Sequence, residues 1–125
     1  ARIRMNSAAA SHGEAFVSAG AIEATDLGNG IRRKILGHGP DLMVARVWFE
    51  TGAVGDVHSH PHGQSTYVEI GRFEVSVGGT TGVLSAGDGF YVAPHVAHGV
   101  ICLEQGVLID TFSPARQDFL REEKP

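Results

Sequence analysis

His58-Ser59-His60-Pro61-His62-Gly63-Gln64 is the stretch on which the reading of the fold turns. Side chains alternate along an extended strand, so His-x-His puts both imidazoles on one face. Gln64 follows His60 by four residues, and His98 lies far downstream. Three imidazoles and a carboxamide oxygen can complete a mononuclear metal site. Such a site draws on two distant segments of chain, which only a folded barrel or sandwich brings together. Taken alone, His58 and His60 are equally compatible with ordinary surface or core histidines, because short motifs recur by chance.

Outward from this stretch the chain reads as short apolar runs cut by turn signals. Arg32 to Leu36 ends at the loop Gly37-His38-Gly39-Pro40-Asp41, and Leu42 to Glu50 is rich in strand formers. Gln64 to Ile70 is a strand that stops at Gly71. Phe73, Val75 and Val77 alternate with Arg72, Glu74 and Ser76, the clearest period-2 signal present. Gly78-Gly79 predicts a hairpin turn. Thr80 to Leu84, Phe90 to Val92, His98 to Leu103 and Val107 to Phe112 are further strands, with turns at Ala86-Gly87-Asp88-Gly89 and Glu104-Gln105-Gly106. Only Arg116 to Glu123, after Pro114, reads as helical. Many short strands with close turns predict an all-β sandwich or small barrel.

The bulk numbers agree. At 125 residues the chain makes one domain with a real core. With 42% hydrophobic and 19% charged residues it is globular, and 17 Gly favour short strands over long helices. Ten basic against 14 acidic residues give a net charge of −4, and no basic patch offers itself to nucleic acid. No apolar run is long enough to span a bilayer, so no membrane partner is expected. Cys102 is the one cysteine, too few for an internal disulfide, which makes a reducing cytoplasmic location the expectation. Residues 1–20 are expected to form a flexible N-terminal segment, apart from a strand pairing near Phe16-Val17, and residues 21–125 the folded domain. Met5 is a candidate initiator.

A second block, Gly87-Asp88-Gly89-Phe90-Tyr91-Val92-Ala93-Pro94-His95-Val96-Ala97-His98, follows the first at a distance that fits one hairpin and its flanking strands. Together the two blocks resemble the motifs of the cupin superfamily. Gly52, His58, His60, Gln64 and Gly71 fit the first motif; Gly87, Asp88, Pro94 and His98 fit the second. The resemblance implies a single cupin domain, a double-stranded β-helix or jelly-roll-like antiparallel barrel with a short C-terminal helix. It also implies one divalent metal ion (Zn, Ni, Fe, Mn or Cu) on His58, His60, Gln64 and His98. Gln64 stands where most cupins have Glu, and His95 takes a corner usually given to Gly or Asn. His tolerates positive φ better than a β-branched residue. Three neutral imidazoles and a carboxamide leave the ion's charge uncompensated, making it a stronger Lewis acid. His62 is either a substrate or supporting contact, or a plain solvent-facing loop residue.

A narrower resemblance runs from about Thr25 to Leu120. Gly30 to Gly37, the His58 to Gln64 stretch, and Gly106-Val107-Leu108-Ile109-Asp110-Thr111-Phe112-Ser113-Pro114-Ala115-Arg116-Gln117-Asp118-Phe119-Leu120 are similar to the KdgF proteins, small bacterial cupins of pectin and alginate catabolism. That family carries its metal on three His and one Gln. The resemblance implies an isomerase-like enzyme that opens and ketonises 4,5-unsaturated uronate monosaccharides to linear 5-keto-4-deoxyuronate. It matches the family's active-site pattern to Asp110, Phe112 and Arg116: an acid/base, a wall of the sugar pocket and a fork for the substrate carboxylate. Strand parity separately places Leu108, Asp110 and Phe112 on one face. The bland alternatives are an Asp110–Arg116 ion pair or a capping role, ordinary packing of Phe112, and a surface charge at Arg116. Two rival functions fit the same ligands: an Fe or Ni dioxygenase, and a non-catalytic sugar-binding cupin. Cupins commonly pair through their sheets, so a homodimer is expected.

Arg32, Arg33 and Lys34 are expected on a solvated strand face or dimer rim. Asp88 is expected to shape its turn, and Cys102 to be a small buried hydrophobe.

Overall fold

The computed structural model describes residues 13–122. Met5 and the start of the expected N-terminal segment lie outside these residues. The strands are β1 (Thr25–Gly28), β2 (Ile31–His38), β3 (Met43–Phe49), β4 (Val54–His58), β5 (Gly63–Val77), β6 (Thr80–Ser85), β7 (Gly89–Val92) and β8 (His98–Ser113), followed by the helix α1 (Gln117–Glu122). No strand forms at Phe16-Val17; a 3-10 turn occupies Ala19–Ala21 instead. The fold is an all-β single domain with one short helix.

All strand pairs are antiparallel, and two long strands organise them. The first half of β5 lies between β7 and the second half of β8, which continues through β3 and β2 to β1. The second half of β5 lies between β6 and the first half of β8, which also pairs with β4. β5 and β8 therefore run through both halves of one eight-stranded sheet, which bends at their middle and folds over the core.

The turns expected at Gly71 and at Glu104-Gln105-Gly106 are thus bends inside continuous strands. The β5–β8 register shifts between Val68 and Phe73, where bulges bend the pair without ending it. Glycine makes the bend possible. Gly71 has φ +89, and a Cβ there would meet the Gln105 carbonyl oxygen at 2.5 Å. A Cβ on Gly106 would press against the Ile70 carbonyl oxygen and lie 2.7 Å from the Phe73 ring. The Gly78-Gly79 hairpin forms as expected, with both residues at positive φ. Asp88 accepts the Ser85 N–H at 2.8 Å and closes its own turn. His95 adopts φ 68 at the corner before β8. The unforeseen β1 pairs with β2 across Gly28-Asn29-Gly30, where Asp26 accepts the Gly28 N–H at 2.8 Å.

Inward positions alternate along β3 (Met43, Ala45, Val47, Phe49) and β5 (Gln64, Thr66, Val68). Phe73 and Phe49 meet edge to face at 5.2 Å in the core. Cys102 is buried there, as expected. Arg33 corrects the expectation of a solvated basic face. It shares the inward side of β2 with Ile35 and is 3% exposed, while Arg32 and Lys34 lie outward over Trp48. Tyr67 and Tyr91 stand on the outer surface of the sheet.

Candidate metal centre

His58 is the last residue of β4, and His60 lies just beyond it, so strand alternation alone does not place both rings. The turn 59–62 carries His60 back toward the first residue of β8, His98, which pairs with His58. Ring centroids are 4.4 Å apart for His58 and His98, 4.7 Å for His60 and His98, and 5.5 Å for His58 and His60. One nitrogen from each ring lies within 4.8 Å of the others.

Hydrogen bonds set which nitrogen that is. Nδ1 of His58 lies 2.7 Å from the Asp56 carbonyl, Nδ1 of His60 3.0 Å from the His62 carbonyl, and Nδ1 of His98 2.9 Å from the Val96 carbonyl. A carbonyl can only accept, so each Nδ1 carries a proton, and in the neutral ring it is Nε2 that offers the lone pair. Burial lowers the His60 and His98 pKa values, helped at His60 by the charge of Arg116 and opposed at His98 by the hydrogen bond to Val96. The net lowering at both rings favours the neutral form, the state a metal needs.

Two further features test the fit of a cation. Nε2 of His98 is buried with no hydrogen-bond partner among the described residues. Nε2 of His60 faces Oε1 of Gln64 at 3.0 Å, although the single proton of a neutral ring already belongs to Nδ1. Lone pair therefore faces lone pair, and a shared positive ion resolves the conflict. His58, His60, His98 and Gln64 fit a divalent transition ion, with imidazole and carbonyl-type donors of the kind such ions accept.

Asp110 and Phe112 lie on the inner side of β8, directly across from Thr66 and Gln64 on β5. Thr66 donates its hydroxyl proton to Asp110 Oδ1 at 2.6 Å and accepts from Gln64 Nε2 at 2.9 Å. Burial pushes the Asp110 carboxyl up from 3.8 to about 6, against the opposing pull of the Thr66 hydrogen bond and the Arg116 charge. The Phe112 ring sits 5.8 Å from that of His60, edge on. It is also fully buried, so it packs as part of the core.

Arg116 is buried beside these groups, its guanidinium 5.1 Å from the Phe112 ring centre and 4.0 Å from that of Phe119. The surface-charge alternative therefore does not hold. Its fork is engaged: Nε and Nη2 donate to the two carboxylate oxygens of Asp118 at 3.1 and 2.9 Å. This pair holds the Asp118 carboxyl below its ordinary range. His62 is half-buried beside His60 and contributes its carbonyl to that ring, so it is no plain solvent-facing residue.

Sequence reading missed four residues of this region. Thr66 could have been found by parity, two residues from Gln64, and so could Arg33, two residues from Ile35, whose guanidinium lies 3.8 Å from the Phe119 ring centre. Asp118 and Phe119 carried no signal, because a helix of six residues fixes their direction only through what it packs on.

Residues 45–112 match the family model described as Cupin domain. The chain is 48% identical over 97 residues to the pectin degradation protein KdgF of Dickeya dadantii (strain 3937), covering 76% of this chain and 88% of that one. An RmlC-like cupin from Shewanella frigidimarina superposes with a TM-score of 0.86 at 48% identity, over 88% of this chain and 99% of that one. KdgF from Halomonas sp. superposes with a TM-score of 0.81 at 42% identity, over 85% and 98%.

Proposed function

The chain belongs to the cupin domain family and, within it, to the KdgF proteins, and from that membership we propose that it opens and ketonises 4,5-unsaturated uronate monosaccharides. The observation that carries the reading is the convergence of the Nε2 atoms of His58, His60 and His98 with Gln64 Oε1, beside the carboxyl of Asp110. The pectin-degradation relative supports a substrate drawn from pectin breakdown, and the unsaturated uronate is the proposal's own step beyond it.

The substrate is a cyclic hemiacetal whose ring oxygen is also an enol-ether oxygen. Asp110 takes the proton of the C1 hydroxyl, C1 becomes a carbonyl, and the bond from C1 to the ring oxygen breaks. The electron pair stays on that oxygen as an enolate at C5. Asp110 then returns the proton to C4, leaving a ketone at C5, so substrate and product are isomers. His58, His60, His98 and Gln64 would hold a divalent ion, which would supply Lewis-acid stabilisation of the developing negative charge. Burial pushes the Asp110 carboxyl up toward neutral pH, to about 6 with the site empty of metal, which suits a group that must both take and return a proton. Phe112 walls the sugar. Arg116 exchanges Asp118 for the substrate carboxylate, a bidentate pairing of the same geometry.

Loss of the conjugated alkene absorbance on adding metal-loaded protein to an unsaturated uronate tests the proposal. Asp110→Ala should abolish the loss while the metal stays bound. Undiminished absorbance with the unaltered protein refutes the activity, and normal rates in the variant refute the role of Asp110.

A further inference from the structure

We propose that Thr66 is a positioning residue, whose hydroxyl makes Gln64 present its oxygen, not its nitrogen, to the metal site. This rests on the reading of that site as a metal centre. The two ends of a carboxamide are nearly equal in size, so packing alone does not choose between them. Only the oxygen has a lone pair to offer a cation. The choice must therefore come from what the other end of the amide meets.

At that end stands Thr66, 2% exposed. A hydroxyl has one proton to give. Thr66 gives it to Asp110 Oδ1 at 2.6 Å, its shortest polar contact, so a lone pair is what it turns toward Gln64 at 2.9 Å. A lone pair demands an N–H. Asp110 Oδ1 makes the same demand more weakly, 3.5 Å from the same nitrogen. Reversing the amide would set oxygen against oxygen at Thr66, or draw the Thr66 proton away from Asp110. It would also turn N–H groups toward the imidazole nitrogens where the cation belongs.

Every donor thus points one way, from the Gln64 amide to Thr66 and from Thr66 to the Asp110 carboxylate, which leaves the amide oxygen for the metal site. The three groups are set by one stretch of sheet. Gln64 and Thr66 alternate inward on β5, and Thr66 and Asp110 are direct cross-strand partners. A side chain that orients a metal ligand typically changes affinity 10- to 100-fold when removed.

The test compares Thr66→Val, which keeps the shape and loses the hydroxyl, with Thr66→Ser, which keeps the hydroxyl. Zn2+ and Ni2+ dissociation constants are measured by competition with a chromogenic chelator, and turnover is followed at saturating metal. Thr66→Val should bind both ions at least about 10-fold more weakly, and Thr66→Ser should recover to within about threefold of the unaltered protein. At saturating metal, Thr66→Val should lose kcat with little change in KM, because Asp110 has lost its donor. Unaltered affinity in a folded Thr66→Val variant overturns the inference, and so does equal weakening in Thr66→Ser. Affinity is read without substrate. Absence of uronate turnover in the unaltered protein would therefore remove the proposed reaction and leave the role of Thr66 to be decided by the chelator competition.

Discussion

Replacing Asp110 by Asn should make the metal-free protein more stable at neutral pH even as it destroys the proposed activity. The Asp110 carboxyl is pushed from 3.8 to about 6, chiefly by burial. Between those values the folded protein holds a proton that the unfolded chain has released. Stability therefore falls as pH rises through that window, and the loss is complete above about pH 6. At about 1.4 kcal/mol per pH unit the gap corresponds to about 3 kcal/mol. Asn is neutral throughout and escapes this cost while still accepting from Thr66. His60, His62 and His98, whose pKa values are lowered, push stability the other way, rising with pH. They do so in both proteins, so the difference between the two isolates Asp110. Urea titrations of metal-free protein and variant, in the presence of a chelator, from pH 4 to pH 7.5 measure it. The variant should gain on the parent by about 3 kcal/mol across the range. A difference that stays constant with pH, or one that shrinks as pH rises, would refute the argument that desolvation dominates at this carboxyl.

Two further outcomes are expected. Gln64→Ala should lower metal content, read by mass spectrometry under native conditions, because the ion loses its oxygen donor; unchanged content removes Gln64 from the ligand set. Gly106→Ala should cost about 3 kcal/mol, since its Cβ has no room between the Ile70 carbonyl and the Phe73 ring. A melting temperature lower by roughly 10 °C checks this, and an unchanged one would show that the bend in β5 and β8 can open.

Much of the architecture was legible because local signals agreed with it. The alternation of Phe73, Val75 and Val77, the Gly78-Gly79 turn and the Gly87-Asp88 corner all stand where the sequence predicts them. The long strands were not legible. Gly71 and Gln105-Gly106 carry the same signal whether a strand stops or bends, and only the pairing of β5 with β8 distinguishes the two. The metal-site histidines and Gln64 were readable from spacing and family likeness, and the face of Asp110 from parity. Arg33 was misread because a run of three basic residues looks solvated, although alternation sends its middle member inward. The Arg116–Asp118 pair was invisible because it depends on how α1 turns back over Phe112, through Phe119 at 5.4 Å.

The protons that fix the three imidazoles are held by main-chain oxygens of Asp56, His62 and Val96. Every amino acid, proline included, brings such an oxygen. No single replacement at those positions can delete an orienting group; it can only displace one by moving the backbone. The chemistry of this centre is thus insured against point changes in its immediate support, and its weak spots lie instead in the corners that set the path of the chain.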